Sequence, residues 1–150
     1  MKKTILFGLA VLAGSLVMAQ SSKEVSWTCT AKKVSDKVYE VHMTATIGAG
    51  YHLYAQKTGE GPVPTSFSWT KNPLVVPEGP IKEVGKLVKK MEPAFGTEVQ
   101  YYEKTVEFVQ VVTLKSKAKT SFAGTVEFMV CNDTQCLPPA DVQLKVNVGG

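Results

Sequence analysis

The chain has 150 residues, three cysteines, 44% hydrophobic residues and a formal charge of +4. All 17 basic residues are lysine, scattered among 13 acids. Nucleic-acid readers and phosphate clamps lean on the bidentate fork of arginine, so this even lysine surface reads as solvated, with no nucleic-acid partner. The length suits one domain with one core.

The N-terminus has the order of a secretory signal. Lys2 and Lys3 precede an apolar run over residues 5–17, and Val17-Met18-Ala19 before Gln20 forms a small-residue cleavage site. The run is too short for a spanning helix, and no other stretch is apolar for long enough. The expected product is residues 20–150, exported, without membrane insertion and carrying a charge of +2 once Lys2 and Lys3 leave. No cysteine follows the cut, so no lipid anchor is expected. In an oxidising compartment, three cysteines leave one thiol unpaired or joined to another molecule.

From residue 24 the chain alternates. Val25, Trp27, Cys29 and Ala31 share one face of a half-buried strand, which makes Cys29 a small buried hydrophobe. Residues 38–47 alternate again, with Tyr39, Val41, Met43, Ala45 and Ile47 inward and His42 on the polar face. Gly48-Ala49-Gly50 breaks this strand before Tyr51-His52-Leu53-Tyr54. His42 and His52 lack ligand spacing on one element and read as exposed single histidines, so no metal site is expected.

Residues 56–65 form a Gly- and Pro-rich loop, and residues 65–70 a short strand around Phe67 and Trp69. Pro73, Pro77 and Pro80 predict an irregular stretch. Val84, Leu87, Val88 and Met91 have helical spacing, weakened by Gly85 and by the lysines. Residues 92–96, Glu-Pro-Ala-Phe-Gly, form a turn with Phe95 at its tip. One long strand is expected over 99–114, carrying Tyr102, Val106, Phe108, Val112 and Leu114 inward. A further strand over 121–131 carries Phe122, Val126, Phe128 and Val130, with Cys131 on the opposite parity at its end. Val142, Leu144, Val146 and Val148 mark the last strand. About seven strands with turns between them predict an all-β, immunoglobulin-like antiparallel sandwich.

Cys131 and Cys136 are separated by the polar turn Asn132-Asp133-Thr134-Gln135 and followed by Leu137-Pro138-Pro139. Two cysteines so placed at a hairpin tip can form a disulfide. Closing so short a ring stabilises a fold by only about 2 kcal/mol, which raises the question of redox use beside that of a structural staple. Asp133 next to the pair disfavours a thiolate. Spacing alone leaves both readings open.

The stretch CNDTQCLPP after an alternating strand resembles the active-site hairpin of the N-terminal periplasmic domains of the DsbD thiol:disulfide interchange family. Gly50-Tyr51-His52-Leu53-Tyr54 resembles that family's aromatic segment, and residues 92–96 resemble its cap loop. The likeness runs in the same order along essentially the whole exported chain. It implies an immunoglobulin-like sandwich with a redox cysteine pair. Cys136 would form the mixed disulfide with partners and Cys131 would resolve it. Phe95 would shield the pair with Glu92 close by, while Tyr51, Tyr54 and Asp133 would line the site. No cofactor is implied, because the sulfurs carry the electrons. The implied partners of a monomeric domain are a membrane thiol reductase on one side and thioredoxin-like or disulfide-isomerase proteins on the other, in the periplasm.

The sequence departs from the family pattern in three ways. The cysteine spacing is one residue shorter than in enterobacterial members, one acid replaces the acidic pair before the cap aromatic, and membrane and thioredoxin-like domains are absent from these 150 residues. A module served by separate donors, or a part of a larger system, is therefore expected. The alternative is a non-enzymatic secreted sandwich, for binding or assembly, with a stapled hairpin.

Overall fold

A computed structural model describes residues 20–21 and 24–150; the expected signal segment, residues 1–19, lies outside the described residues. The described chain is built from antiparallel strands: β1 (Gln20–Ser21), β2 (Val25–Lys33), β3 (Val38–Ile47), β4 (His52–Tyr54), β5 (Ser66–Trp69), β6 (Val75–Val84), β7 (Val88–Glu92), β8 (Thr97–Tyr102), β9 (Thr105–Leu114), β10 (Thr120–Phe128), β11 (Val130–Cys131) and β12 (Ala140–Val148). They form three sheets, ordered β1-β2-β3-β9-β6, β12-β10-β5 and β11-β4-β8-β7. The result is an all-β sandwich of the immunoglobulin-like class.

The alternation seen in the sequence places the core. Val25, Trp27 and Cys29 of β2 are buried, as are Tyr39, Val41, Met43, Ala45 and Ile47 of β3. Trp27 lies between layers, with ring centroids 5.8 Å from Phe108 of the first sheet, 5.5 Å from Phe128 and 6.3 Å from Phe67 of the second. Such tilted and edge contacts add about 0.5–1.5 kcal/mol each to the area that the rings bury. Burial pushes the Cys29 thiol up to about 11, as expected of a small apolar filler. His42, half-buried on the outer face of β3, has its ring nitrogens 2.9 Å from Glu107 and 3.1 Å from Glu40.

Four expectations need correction. The proline stretch is not irregular: residues 75–84 are β6, an edge strand paired to β9. An edge tolerates residues without an N–H, and the register shifts between Glu78 and Lys82, beside Gly79 and Pro80. The helical spacing after residue 81 marks no helix. Val84, Leu87 and Met91 lie on the end of β6, the turn and β7, and all three are exposed. The long strand expected over 99–114 is two strands in different sheets, divided at Glu103-Lys104, where Lys104 takes a φ of 65°. Twelve described strands replace the seven expected: besides β6, β7 and the division of 99–114, the two-residue strands β1 and β11 carry too little alternation to be read.

The hairpin of β10 and β12 is regular from Thr120↔Val148 to Phe128↔Ala140. The segment between them leaves that sheet. β11 pairs instead with β4, Val130 facing Leu53 and Cys131 facing His52, so the cysteines project towards the third sheet. Gly124 of β10 admits the close approach of β5 in the second sheet, since a Cβ there would strike the Trp69 ring and the Ser68 carbonyl. Gly124→Val should lower the unfolding free energy by about 1–3 kcal/mol through overpacking, read by denaturant titration.

Candidate functional site

Alternation along β4 and β11 divides their side chains between two environments. Leu53 and Val130 enter the main core. The neighbouring positions, on the other face, carry Tyr54 and Cys131, which join Val99 and Tyr101 in a second buried cluster. Val88, Phe95 and Met129 pack around this cluster, half-buried. Cys131 therefore sits at the end of its strand with its sulfur among aromatic rings.

The turn after Cys131 is closed by Asn132. Its side-chain oxygen accepts hydrogen bonds from the Thr134 and Gln135 backbone N–H groups, at 2.9 and 2.8 Å, and from the Thr134 hydroxyl at 3.0 Å. The Asn132 N–H donates to the Gln135 carbonyl, and the Leu137 N–H to the Val130 carbonyl. An Asx-closed turn of this kind returns the chain with little freedom to lose. It brings Cys136 opposite Cys131, with Cα atoms 4.0 Å apart and a disulfide between them. The two halves differ in access: Cys131 is 1% exposed, while Cys136 lies at the surface.

Phe95 sits at the tip of a tight turn whose ends are tied by the Glu92 carbonyl, which accepts from the N–H groups of Phe95 and Gly96. Its ring stands edge-on to Tyr54, centroids 6.2 Å apart. The opposite wall of its seat is Gly61, with φ +112°, where a Cβ would collide with the Phe95 ring. The Val63 N–H donates to the Met129 sulfur at 3.4 Å, which ties the Gly61 loop to the segment before Cys131.

The other residues singled out in the sequence divide around this centre. Glu92, half-buried, places a carboxylate oxygen 3.9 Å from His52 Nε2. Tyr51 packs at the margin of the main core and lines a cleft of about 350 Å³ together with His52, Lys90, Glu92, Tyr101 and Asp133. Asp133 is exposed on the hairpin turn.

Three contributors escape a reading of the sequence. His52 is buried, contrary to the exposed setting expected of it. Its ring packs 4.2 Å from Tyr101, centroid to centroid, and its Nε2 lies 3.2 Å from the Tyr54 hydroxyl. Burial holds the His52 pKa below the usual histidine range and outweighs the opposing pull of Glu92, Glu103 and Asp133; Lys90 adds to the lowering. Burial, then the Glu92 charge, raises the Tyr54 pKa, so that its hydroxyl stays protonated. Tyr101 and Gly61 complete the set. The repeated aromatics at 101–102 offered a signal, since only one of two neighbours on a strand can face the main core; Gly61 offered none among the loop glycines.

A family model described as thiol:disulfide interchange protein DsbD, N-terminal, matches residues 21–147. Among solved structures, the chain is similar to the N-terminal periplasmic domain of ScsB from Proteus mirabilis, with a TM-score of 0.63 and 20% identity over 89% of this chain. The match covers 49% of that chain, so the sequence spans about half its length. It is also similar to the reduced DsbD N-terminal domain of Neisseria meningitidis, with a TM-score of 0.52 and 16% identity over 83% of this chain and 86% of that one. No curated protein matches the sequence.

The difference in access predicts an order of reaction. After reduction, brief alkylation should label Cys136 first and Cys131 much more slowly. Cys29, buried with its pKa pushed up to about 11, should stay unlabelled at neutral pH until the protein is denatured. Peptide mass spectrometry over a time course checks this order.

Proposed function

Because the chain belongs to the DsbD N-terminal family, whose model it matches over residues 21–147, we propose that it is a periplasmic thiol–disulfide exchange module. It relays electrons through Cys131 and Cys136 from a membrane thiol reductase to oxidised thioredoxin-like or disulfide-isomerase proteins. The observation that carries this reading is the asymmetry of the disulfide, one sulfur at the surface and the other sealed in an aromatic cluster. A staple has no use for such a difference; an exchange pair does.

In the reduced module the Cys136 thiolate attacks one sulfur of a partner disulfide. A mixed disulfide forms and the partner's second sulfur leaves as a thiolate. Cys131 then attacks the Cys136 sulfur. The Cys131–Cys136 bond forms, the bond to the partner breaks, and the partner departs with two electrons and a dithiol. The membrane reductase returns the module to its reduced state by the reverse sequence of exchanges. No cofactor takes part. The surface position of Cys136 supports its role as the attacking thiol, and the buried position of Cys131 suits a resolver that meets only Cys136.

Phe95 serves as a cover. It packs on the cluster that holds Cys131, at the tip of the β7–β8 turn, where the Phe95 and Gly96 N–H groups donate to the Glu92 carbonyl. Without a partner the ring covers the buried Cys131 half of the pair; a docking partner that displaces it opens that half beside the surface-lying Cys136. Glu92 anchors the cover. Tyr51 and Asp133 line the neighbouring cleft, where a partner surface would rest, and Tyr54 supplies the edge on which Phe95 sits.

Two tests follow. Periplasmic expression of Cys131→Ala should trap partners on Cys136 as mixed disulfides, visible on non-reducing gels and lost on reduction; absence of any covalent adduct would count against exchange. Phe95→Ala should raise the rate at which small thiols reduce the disulfide by roughly tenfold, by removing an aromatic shield from a site whose chemistry depends on access. An unchanged rate would remove the role of the cover.

A further inference from the structure

We propose that His52 is the base of the resolving step: it accepts the thiol proton of Cys131 as that sulfur attacks Cys136. The inference rests on the exchange reading above and assigns the site a residue which that reading lacks.

The need comes from burial. Cys131 is 1% exposed and lies in a cluster of Tyr54, Val99 and Tyr101. A thiol in such surroundings stays protonated, and a protonated thiol is a poor nucleophile. Bulk water is not at hand to take the proton, so an internal acceptor is required.

The register supplies one. His52 is the ladder partner of Cys131 across β4 and β11. Directly opposed residues of an antiparallel pair point to the same face, with Cβ atoms about 5 Å apart. The His52 ring is fixed in place by its 4.2 Å packing on Tyr101 and by two groups at Nε2, the Tyr54 hydroxyl at 3.2 Å and the Glu92 carboxylate at 3.9 Å. The step uses the tautomer with its hydrogen on Nε2, directed at the Tyr54 and Glu92 oxygens, which leaves Nδ1 to receive the proton. Thiol, imidazole and carboxylate then stand in the order of a nucleophile, its base and the group that orients the base.

The step balances. The Cys131 S–H bond breaks and its proton passes to His52. The Cys131–Cys136 bond forms, the bond from Cys136 to the partner breaks, and the partner sulfur leaves with the electron pair. The imidazolium faces Glu92, Glu103 and Asp133, which stabilise it, and Lys90, which opposes it. In the opposite direction, when a donor thiolate attacks Cys136 of the oxidised pair, His52 first takes up a proton from solvent and then delivers it to the departing Cys131 thiolate. Burial keeps the resting imidazole neutral at neutral pH, the form a base requires.

The test separates the two chemical steps. Fully reduced protein is mixed rapidly with dithiobisnitrobenzoate between pH 5 and 9. The first coloured thiolate reports attack by Cys136 and the second reports resolution by Cys131; Cys29, buried, reacts later. In the wild type the second phase should rise with pH and level off once His52 is neutral. In His52→Gln it should slow by about tenfold to a hundredfold at pH 7 and climb without a plateau towards the thiol range, while the first phase stays within about twofold. His52→Tyr serves as a second variant, each admitted only with a native near-ultraviolet spectrum. A second phase unchanged in a folded variant overturns the inference. If neither variant folds, the wild-type profile decides: a second phase that climbs unbroken through the histidine range also overturns it. A wild-type protein whose Cys136 gives no first phase overturns the exchange reading itself, and this inference with it.

Discussion

The site depends on one register. Val130 faces Leu53 and Cys131 faces His52 across β11 and β4. Side chains on a strand alternate between faces, so this pairing sends Val130 into the main core and Cys131 into the smaller aromatic cluster. A slip of one residue would exchange them. The sulfur would then lie against Trp27's core, away from the turn residue that must reach it.

Everything around the sulfurs follows from this division. The main core, centred on Trp27, Phe108 and Phe128, holds the sandwich and fixes Leu53 and Val130. The second cluster is small and borders the surface, so a side chain there can be half-buried and still belong to it. Phe95 has that position. The Asn132 turn supplies the remaining constraint, because its three accepted hydrogen bonds return the chain at a fixed point and leave Cys136 outside the cluster that its partner occupies. Buried and exposed sulfurs in one disulfide thus result from a strand end, a capped turn and a two-faced sheet.

Much of this was legible in the residues. The long strands β2, β3, β9, β10 and β12 are half-buried, and half-burial imprints a period of two. The cysteine hairpin was legible because the turn chemistry and the prolines lie in sequence around it. What failed to show has physical reasons. β6 carries prolines that an interior strand would reject and an edge strand accepts. Val84, Leu87 and Met91 mimic a helical stripe because they are exposed, and no core constrains their spacing. His52 reads as one polar residue among aromatics, since its burial depends on Tyr101 and Glu92, which are 49 and 40 positions away in the chain. The opposition of Phe95 and Gly61 is likewise a contact between two loops, and no local pattern records it.

The central claim is that the Cys131–Cys136 disulfide exchanges and does not merely staple. The most direct measurement is its reduction potential, from equilibration of the folded protein in graded glutathione buffers with the redox state read by mass. The account predicts a potential above about −300 mV, within reach of a periplasmic dithiol donor. A value well below that, with the bond still oxidised in strongly reducing buffer, would mark a structural bridge and contradict the account.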